Sequence, residues 1–335
     1  MMKSRSYLLF TILTVLTLAL FGADLALGPV NIPLPQVWDA LCGGECPTTS
    51  ARIVTDIRLI KAIVAVLCGM ALSVSGLQMQ TLFRNPLAGP YVLGISSGAS
   101  LGVALFVLGA PLFGFAGEMM SLGVAGSAWV GAAVVLVLIA AVGRKVKDIM
   151  VILILGMMFS SGIGAVVQIL QYLSQEEALK SYVLWTMGSL GDVTSGELAI
   201  MIPSVAAGLI IAVITIKSLN ILLFGEEYAI TMGLDIRRSR MLLFLSTTLL
   251  AGTVTAFCGP IGFIGLAMPH VSRMLTADSD HRVLLPATAL AGASVMLGCD
   301  LISKMLALPI NAVTSIIGIP IVVWVVLKNN KSTAS

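Results

Sequence analysis

Charge is scarce in this sequence of 335 residues, since Asp, Glu, Lys and Arg make up only 10% of it while hydrophobic residues make up 58%. An ordinary soluble domain carries about 25% charged residues. A soluble globule still needs a polar surface, so the composition excludes a soluble enzyme, a nucleic-acid-binding protein and a disordered chain. The mean hydropathy of +1.04 instead predicts an all-α polytopic membrane protein with one transmembrane domain over residues 1–335.

Groups that carry protons or bind phosphate are also scarce. The sequence has 2 histidines, and Asp300 and Lys304, which share a helix face, are the main ionisable residues within the apolar stretches. Ion-coupled transporters keep carboxylates or histidines within the membrane, so we do not expect ion coupling. The sequence contains no Gly-Lys pair and therefore no phosphate-binding loop of the Walker type. If ATP drives this protein, the ATPase is a separate chain.

Long uncharged stretches predict ten membrane spans, because a transmembrane helix needs about 20 mainly apolar residues. The stretch 241–272 holds two spans only if Gly259-Pro260 breaks it, and Gly-Pro is a strong helix breaker. The predicted spans are 6–27, 60–82, 90–109, 121–142, 149–171, 196–217, 240–258, 261–275, 284–306 and 311–328. Ten spans divide into two halves of five, and this parity predicts inverted repeats.

The basic residues predict the orientation. Five of the 19 Lys and Arg residues fall on one side of the predicted bundle, and the rest fall on the side of the N-terminus. Basic residues accumulate in cytoplasmic loops, so both termini are predicted to be cytoplasmic. The outer five are Arg52, Arg58, Lys61, Lys180 and Lys304. The largest predicted inner loop is 218–239.

Three further patterns are weaker. Gly94-Ile95-Ser96-Ser97-Gly98 matches the Gly-x-Ser-x-Gly pattern of serine hydrolases, but it lies in a predicted membrane helix, where closely spaced small residues serve helix packing. The amphipathic segment 174–195 predicts a short helix at the outer surface. In the predicted outer loop, Cys42 and Cys46 allow either a disulfide or two free thiols. No catalytic or metal-binding residue is predicted.

Three longer motifs together resemble one family. Residues 84–90 read Arg-Asn-Pro-Leu-Ala-Gly-Pro, residues 225–234 read Gly-Glu-Glu-Tyr-Ala-Ile-Thr-Met-Gly-Leu, and residues 259–270 read Gly-Pro-Ile-Gly-Phe-Ile-Gly-Leu-Ala-Met-Pro-His. Over about residues 50–328 the chain resembles the permease family of ABC importers for vitamin B12, iron-siderophores and haem. The resemblance implies a homodimer of ten-helix subunits surrounded by lipid in the cytoplasmic membrane. A heterodimer with a related permease stays open.

The resemblance also implies what the other subunits do. Two copies of an ABC ATPase are expected on the cytoplasmic side, and a substrate-binding protein is expected to dock outside. ATP and Mg are used by the ATPase, and no cofactor is expected on this chain, which is not itself an enzyme. The expected cargo is an iron chelate, either a siderophore or haem, with cobalamin as the alternative. An ion-coupled secondary transporter is the less favoured alternative.

Positions that match the family motifs give three candidate sites. The candidate ATPase coupling residues are Gly225, Glu226, Glu227, Ala229, Gly233, Leu234, Arg237 and Arg240. We expect the two glutamates near a helix start and the arginines, together with Arg238, near its end, because these positions suit the helix dipole. Arg58, Lys61 and Lys304 resemble the basic residues that receive the binding protein. Asn85 and Leu87 resemble the inner gate.

Overall fold

The computed structural model describes residues 2–44, 46–109, 121–143, 146 and 148–333, and these residues form helices and turns without a strand. The helices are α1 Met2–Ala26, α2 Leu34–Cys42, α3 Thr48–Arg52, α4 Ile60–Leu82, α5 Ile95–Val107, α6 Ser121–Gly143, α7 Ile149–Leu173, α8 Glu176–Thr186, α9 Ser195–Ile214, α10 Ile216–Leu222, α11 Glu226–Thr231, α12 Ile236–Thr247, α13 Thr253–Cys258, α14 Ile264–Thr276, α15 His281–Leu306 and α16 Ile310–Thr333. Two wider π-helical stretches, Ile53–Leu59 and Thr248–Gly252, join α3 to α4 and α12 to α13. The predicted all-α class is confirmed.

Seven helical stretches in the described part of the chain are long and apolar enough to cross a membrane. They are Tyr7–Ala26, Thr48–Leu82, Gly123–Gly143, Ile149–Leu173, Ser195–Ile214, Ile236–Cys258 and His281–Leu306. The three other predicted spans overlap the shorter apolar helices Ile95–Val107 and Ile310–Val325 and the helix Ile264–Thr276. The chain is therefore a multi-pass membrane protein.

The predicted second span, 60–82, coincides with α4, and helical backbone extends upstream of it to Thr48. One predicted boundary differs from the structure. The third span begins at Ile95 rather than residue 90, because Gly94 adopts a left-handed φ of 76° and residues 85–94 form turns. At Gly259-Pro260 the chain does leave the helix, and it re-enters one at Ile264.

Helix α4 lies at the centre of the bundle, and glycine brings its neighbours to backbone contact. A Cβ on Gly69 would collide with the backbone of Gly292 in α15, and a Cβ on Gly76 would collide with the carbonyl of Gly265 in α14. In a bilayer, where lipid tails are as apolar as leucine, such close approach supplies much of the attraction between helices.

The small residues of the Gly-x-Ser-x-Gly segment have the same packing function. A Cβ on Gly98 would lie 2.6 Å from the carbonyl oxygen of Gly131 in α6, and Gly102 meets Ser127 one turn later. These contacts join α5 to α6. The helix begins directly after Gly94 with no preceding strand, so the segment lacks the strand–turn–helix elbow of a hydrolase.

None of the five cysteines is paired in a disulfide in the described part of the chain. Cys42 and Cys46 are free thiols, while Cys68, Cys258 and Cys299 are buried among apolar residues.

The orientation prediction partly depends on three basic residues that lie outside the described residues, Arg144, Lys145 and Lys147. The cytoplasmic placement of the termini stays a prediction.

Candidate coupling, gate and docking sites

The predicted inner loop 218–239, which connects two long apolar stretches, is mostly helical. It contains most of α10, all of α11 and the first turn of α12. Gly225 has a φ of 101° and Gly233 a φ of 80°, in a region that favours glycine. These two glycines allow the chain to reverse direction before and after a helix of only six residues. We call residues 216–240 the coupling segment.

We expected the arginines near the end of the helix that begins with Glu226 and Glu227, and this expectation is wrong. Glu226 and Glu227 do occupy the first turn of α11. Arg237 and Arg238, however, lie in the first turn of α12 rather than at the end of α11. Asp235 caps that turn, because its Oδ1 accepts a hydrogen bond of 3.0 Å from the amide of Arg238.

Instead, an ion pair holds α11 against α12. Arg240 Nε donates to Glu226 Oε1 over 2.9 Å, and Arg240 Nη2 donates to Glu226 Oε2, so the pair is bidentate. Arg240 and Ala229 are both buried. The amide of Leu234 closes the turn by donating to the carbonyl of Ala229 over 3.0 Å. A bidentate arginine–carboxylate contact sets orientation as well as distance, so α11 is held firmly against α12.

An apolar surface on the coupling segment escaped the sequence analysis. Phe224, Tyr228, Ile230 and Met232 are each more than half exposed, and the rings of Phe224 and Tyr228 lie 5.5 Å apart. Because these residues lie between the polar ends of predicted spans, their exposure indicates a contact with another protein. The available sequence signal was the presence of four large apolar residues in a segment that connects two predicted spans.

The predicted gate residues lie in the irregular turns between α4 and α5. Asn85 is half-buried, and its Oδ1 accepts a hydrogen bond of 2.9 Å from the amide of Leu87, whose side chain is exposed. Arg84 has a φ of 46°, so the chain turns sharply as it leaves the helix. The motif thus forms a compact polar turn at the predicted inner end of α4.

Side chains of α4 and α14 support this turn, and the sequence analysis missed them. His270 Nε2 lies 2.7 Å from the carbonyl oxygen of Pro86 and can donate to it. Gln80 bridges the same helices, because its Nε2 donates to the carbonyl of Leu266 over 3.0 Å and its Oε1 accepts from Arg273 over 2.6 Å. The gate turn is therefore anchored to the third family motif.

At the predicted outer end, Arg58 fastens α1 to the π-helical stretch before α4. Its Nη1 donates to the carbonyls of Leu25 and Ala26, each over 2.9 Å, and its Nη2 donates to the carbonyl of Val30. The side chain is buried. Since Leu25 and Ala26 end a helix, the cation also meets the negative end of the helix dipole.

Two lysines form an ionic cluster with two buried aspartates nearby. Lys304 Nζ lies 2.7 Å from Asp24 Oδ1 and 3.0 Å from Asp300 Oδ2, and Lys61 Nζ lies 3.0 Å from Asp300 Oδ1. Both aspartates are fully buried. The cluster therefore joins α1, α4 and α15 at one end of the bundle.

The three candidate docking residues thus lie at the same end of the bundle, but their cationic groups face partners within this chain. The side chain of Lys61 is 18% exposed, and that of Lys304 is 7% exposed. Docking by these residues stays a prediction. Asp24, which completes the cluster, was missed because no sequence pattern links it to a lysine 280 residues away.

Both histidines are engaged with other groups than Ser96. His270 contacts Pro86, and His281 contacts Thr81 and Asn220. None of these contacts is with a serine, so neither histidine is placed to act as the base of a serine hydrolase.

Comparison with known proteins identifies the family of this chain. A family model described as the FecCD transport family matches residues 15–328. The chain belongs to this family. It is 33% identical over 340 residues to the hemin transport system permease protein of Yersinia pestis, covering 98% of this chain and 97% of that protein. The predicted resemblance is confirmed.

Other relatives of this FecCD-family chain have different named cargoes. The vitamin B12 import system permease protein of Vibrio cholerae is 32% identical, covering 98% of this chain and 96% of that protein. The ferric enterobactin transport system permease protein of Escherichia coli K12 is 31% identical, with 96% of each chain covered. A solved structure of a metal-chelate type ABC transporter in an inward-facing conformation matches with a TM-score of 0.82 and 30% identity, over 96% of this chain and 99% of that chain.

Proposed function

We propose that this chain is the permease subunit of an ABC importer that moves an iron chelate, either a siderophore or haem, into the cytoplasm. The named cargoes of the hemin and ferric enterobactin permeases support this substrate class. Cobalamin is the alternative, supported by the vitamin B12 permease at nearly the same identity. All three cargoes are large metal chelates, which a protein can grip by shape and apolar contact.

The proposed assembly contains a second copy of this permease, two ABC ATPase subunits and an extracytoplasmic binding protein. The chain lies in the cytoplasmic membrane, in contact with lipid and with both termini inside. ATP and Mg are bound by the ATPase, and no cofactor is bound by this chain. The binding protein delivers the chelate at the end that carries Arg58, Lys61 and Lys304. Movement of the ATPases then opens the pathway past Asn85 and Leu87.

The observation that carries the proposal is the apolar surface of the coupling segment. Phe224, Tyr228, Ile230 and Met232 lie on α11 and in the turns beside it, and the Glu226–Arg240 ion pair holds α11 against α12. A rigid apolar surface beside charged groups is suited to seat in a groove of a second protein. It lies at the end of the bundle that the basic residues predict to be cytoplasmic.

An ion-coupled transporter fits the charges less well. The buried carboxylates Asp24 and Asp300 lie within the outer cluster, and each has a lysine ammonium within 3.0 Å. Carboxylates that are neutralised by their own chain are unsuited to carry a coupling ion through the membrane.

Ile230→Asp tests the coupling surface. A charge on this exposed side chain is expected to weaken binding of the transporter's ABC ATPase by about tenfold or more, because interface anchors each contribute at least about 2 kcal/mol. The measurement is the dissociation constant of the purified ATPase from the permease in nanodiscs. Trp38→Asp, an equally exposed apolar site on α2, is the control and leaves binding unchanged. Equal binding by Ile230→Asp and the unmodified chain would contradict the assignment.

A further inference from the structure

A buried histidine connects the coupling segment to the inner end of α4. His281 Nδ1 lies 2.7 Å from Asn220 Oδ1, and the backbone amide of His281 donates to the same oxygen over 2.9 Å. On its other side, His281 Nε2 lies 2.9 Å from Thr81 Oγ1. Asn220 belongs to α10 and Thr81 to α4, so one imidazole spans two elements that lie far apart in sequence.

The hydrogen-bond pattern fixes the direction of the bond between His281 and Asn220. Asn220 Nδ2 donates to Asp280 Oδ1 over 2.6 Å, so Asn220 Oδ1 is the atom turned towards His281. The proton of His281 therefore lies on Nδ1, and the neutral Nε2 can accept from the Thr81 hydroxyl. The Thr81 oxygen also lies 3.0 Å from the carbonyl oxygen of Leu77, a second acceptor for the single hydroxyl hydrogen. Because His281 is fully buried and Thr81 nearly so, loss of either bond would leave a polar group without water to replace its partner.

The same end of α4 leads directly into the gate turn. Thr81 precedes Asn85 by four residues, and Arg84 lies between them. Arg84 also touches the coupling segment, because a Cβ on Gly225 would lie 3.0 Å from Arg84 Nη1. The coupling segment thus reaches the last turn of α4 through His281 and the turn that follows α4 through Arg84.

We propose that His281 is a positioning residue that transmits movement of the coupling segment to the gate turn, by holding Asn220 of α10 and Thr81 of α4 in one hydrogen-bonded unit. This inference depends on the proposed function, since it takes 216–240 as the ATPase contact and Asn85 and Leu87 as the gate. Two rigid elements joined by buried directional bonds move together, whereas apolar contacts would allow them to slip past each other.

The test measures gate movement rather than stability. Leu87→Cys is introduced with Cys42→Ser and Cys46→Ser, so that the cysteine at position 87 is the exposed thiol among the described residues. The permease–ATPase complex in nanodiscs reacts with a maleimide, with and without ATP, Mg²⁺ and orthovanadate. The measured quantity is the change in labelling rate on nucleotide trapping.

Thr81→Val removes the hydroxyl but keeps the volume, and Asn220→Leu removes the bonds on the other side of the imidazole. Each variant is expected to reduce the nucleotide-dependent change by roughly fivefold or more, the lower range of coupling between linked sites. Thr81→Ser restores it. Thr288→Val is the matched control, because Thr288 is a buried threonine of α15 whose hydroxyl bonds only within that helix, to the carbonyl of Leu284.

The outcomes separate the two proposals. A full nucleotide response in Thr81→Val and Asn220→Leu, with ATPase still bound, would overturn the role of His281 and leave the proposed function intact. An equal loss in Thr288→Val would also overturn it, because the effect would then be one of general destabilisation. If the ATPase fails to bind the unmodified chain, the proposed function is overturned, and this inference with it.

Discussion

Lys304 shows how a few charges can be placed inside an apolar bundle. Its side chain is 7% exposed and lies between Asp24 and Asp300. Removing charges from water is costly, and the cost is recovered only when each charge has a close partner. The cluster satisfies this condition, since two lysines and two aspartates alternate around it. Exact pairing, more than the number of charges, therefore determines whether this end of the bundle is stable.

Lys304→Met should lower stability strongly. The substitution leaves Asp24 buried without its ammonium partner, and breaking a buried ion pair costs about 3–5 kcal/mol. The double variant Lys304→Met, Asp24→Asn should recover part of the loss, because no unpaired charge then remains at that pair. The measurement is thermal unfolding in detergent. Lys180→Met, on an exposed side chain of α8, is the control. A melting temperature for Lys304→Met equal to that of the control would contradict the pairing.

Single-residue partners are the part of the account that the sequence reveals least. The spacing of Asp300 and Lys304 predicts a shared helix face, and the structure joins them over 3.0 Å. Asp24 and His270 could not be assigned partners in this way, because their contacts cross between helices. Such contacts depend on how whole helices pack, and local spacing carries no information about that.

At the scale of helices, backbone contact between glycines positions α4 within the bundle. Composition and uncharged stretches were sufficient to predict most of the long apolar helices, because the membrane imposes a length and a polarity on each of them. They were insufficient for 216–240, where helices of seven and six residues are set by glycine turns and tertiary contacts rather than by hydrophobic length.

Gly76→Ala should destabilise the packing of α4 against α14. The new methyl group would collide with the carbonyl of Gly265, and overpacking of this kind costs about 1–3 kcal/mol or more. Gly298→Ala is the matched control on α15, since its added Cβ would meet no atom within 4 Å. It should be neutral or raise stability slightly, because alanine favours helix over glycine by roughly 0.5–1 kcal/mol. Unfolding temperatures in detergent compare the two. The same change in both would contradict close packing at Gly76.

The whole molecule is a bundle with different surfaces at its two ends. The predicted outer end carries a closed ionic cluster, and the predicted inner end carries an exposed apolar surface on the coupling segment. Central α4 runs between them, from Lys61 at one end to Thr81 at the other. This arrangement fits a permease that receives its cargo at one end and its driving force at the other. The scarcity of charge in the sequence indicated the membrane and argued against ion coupling, while the identity of the cargo is not encoded in any single motif.

Uptake into liposomes tests the central claim most directly. The permease is reconstituted with its ABC ATPase and its binding protein, and accumulation of a ⁵⁵Fe-siderophore, hemin and cobalamin is measured in parallel. We predict that one of these chelates accumulates only when ATP and Mg²⁺ are present on the ATPase side, and that accumulation stops when the nucleotide-binding lysine of the ATPase is replaced. Accumulation that continues without a working ATPase, or that follows an imposed proton or sodium gradient, would contradict the account.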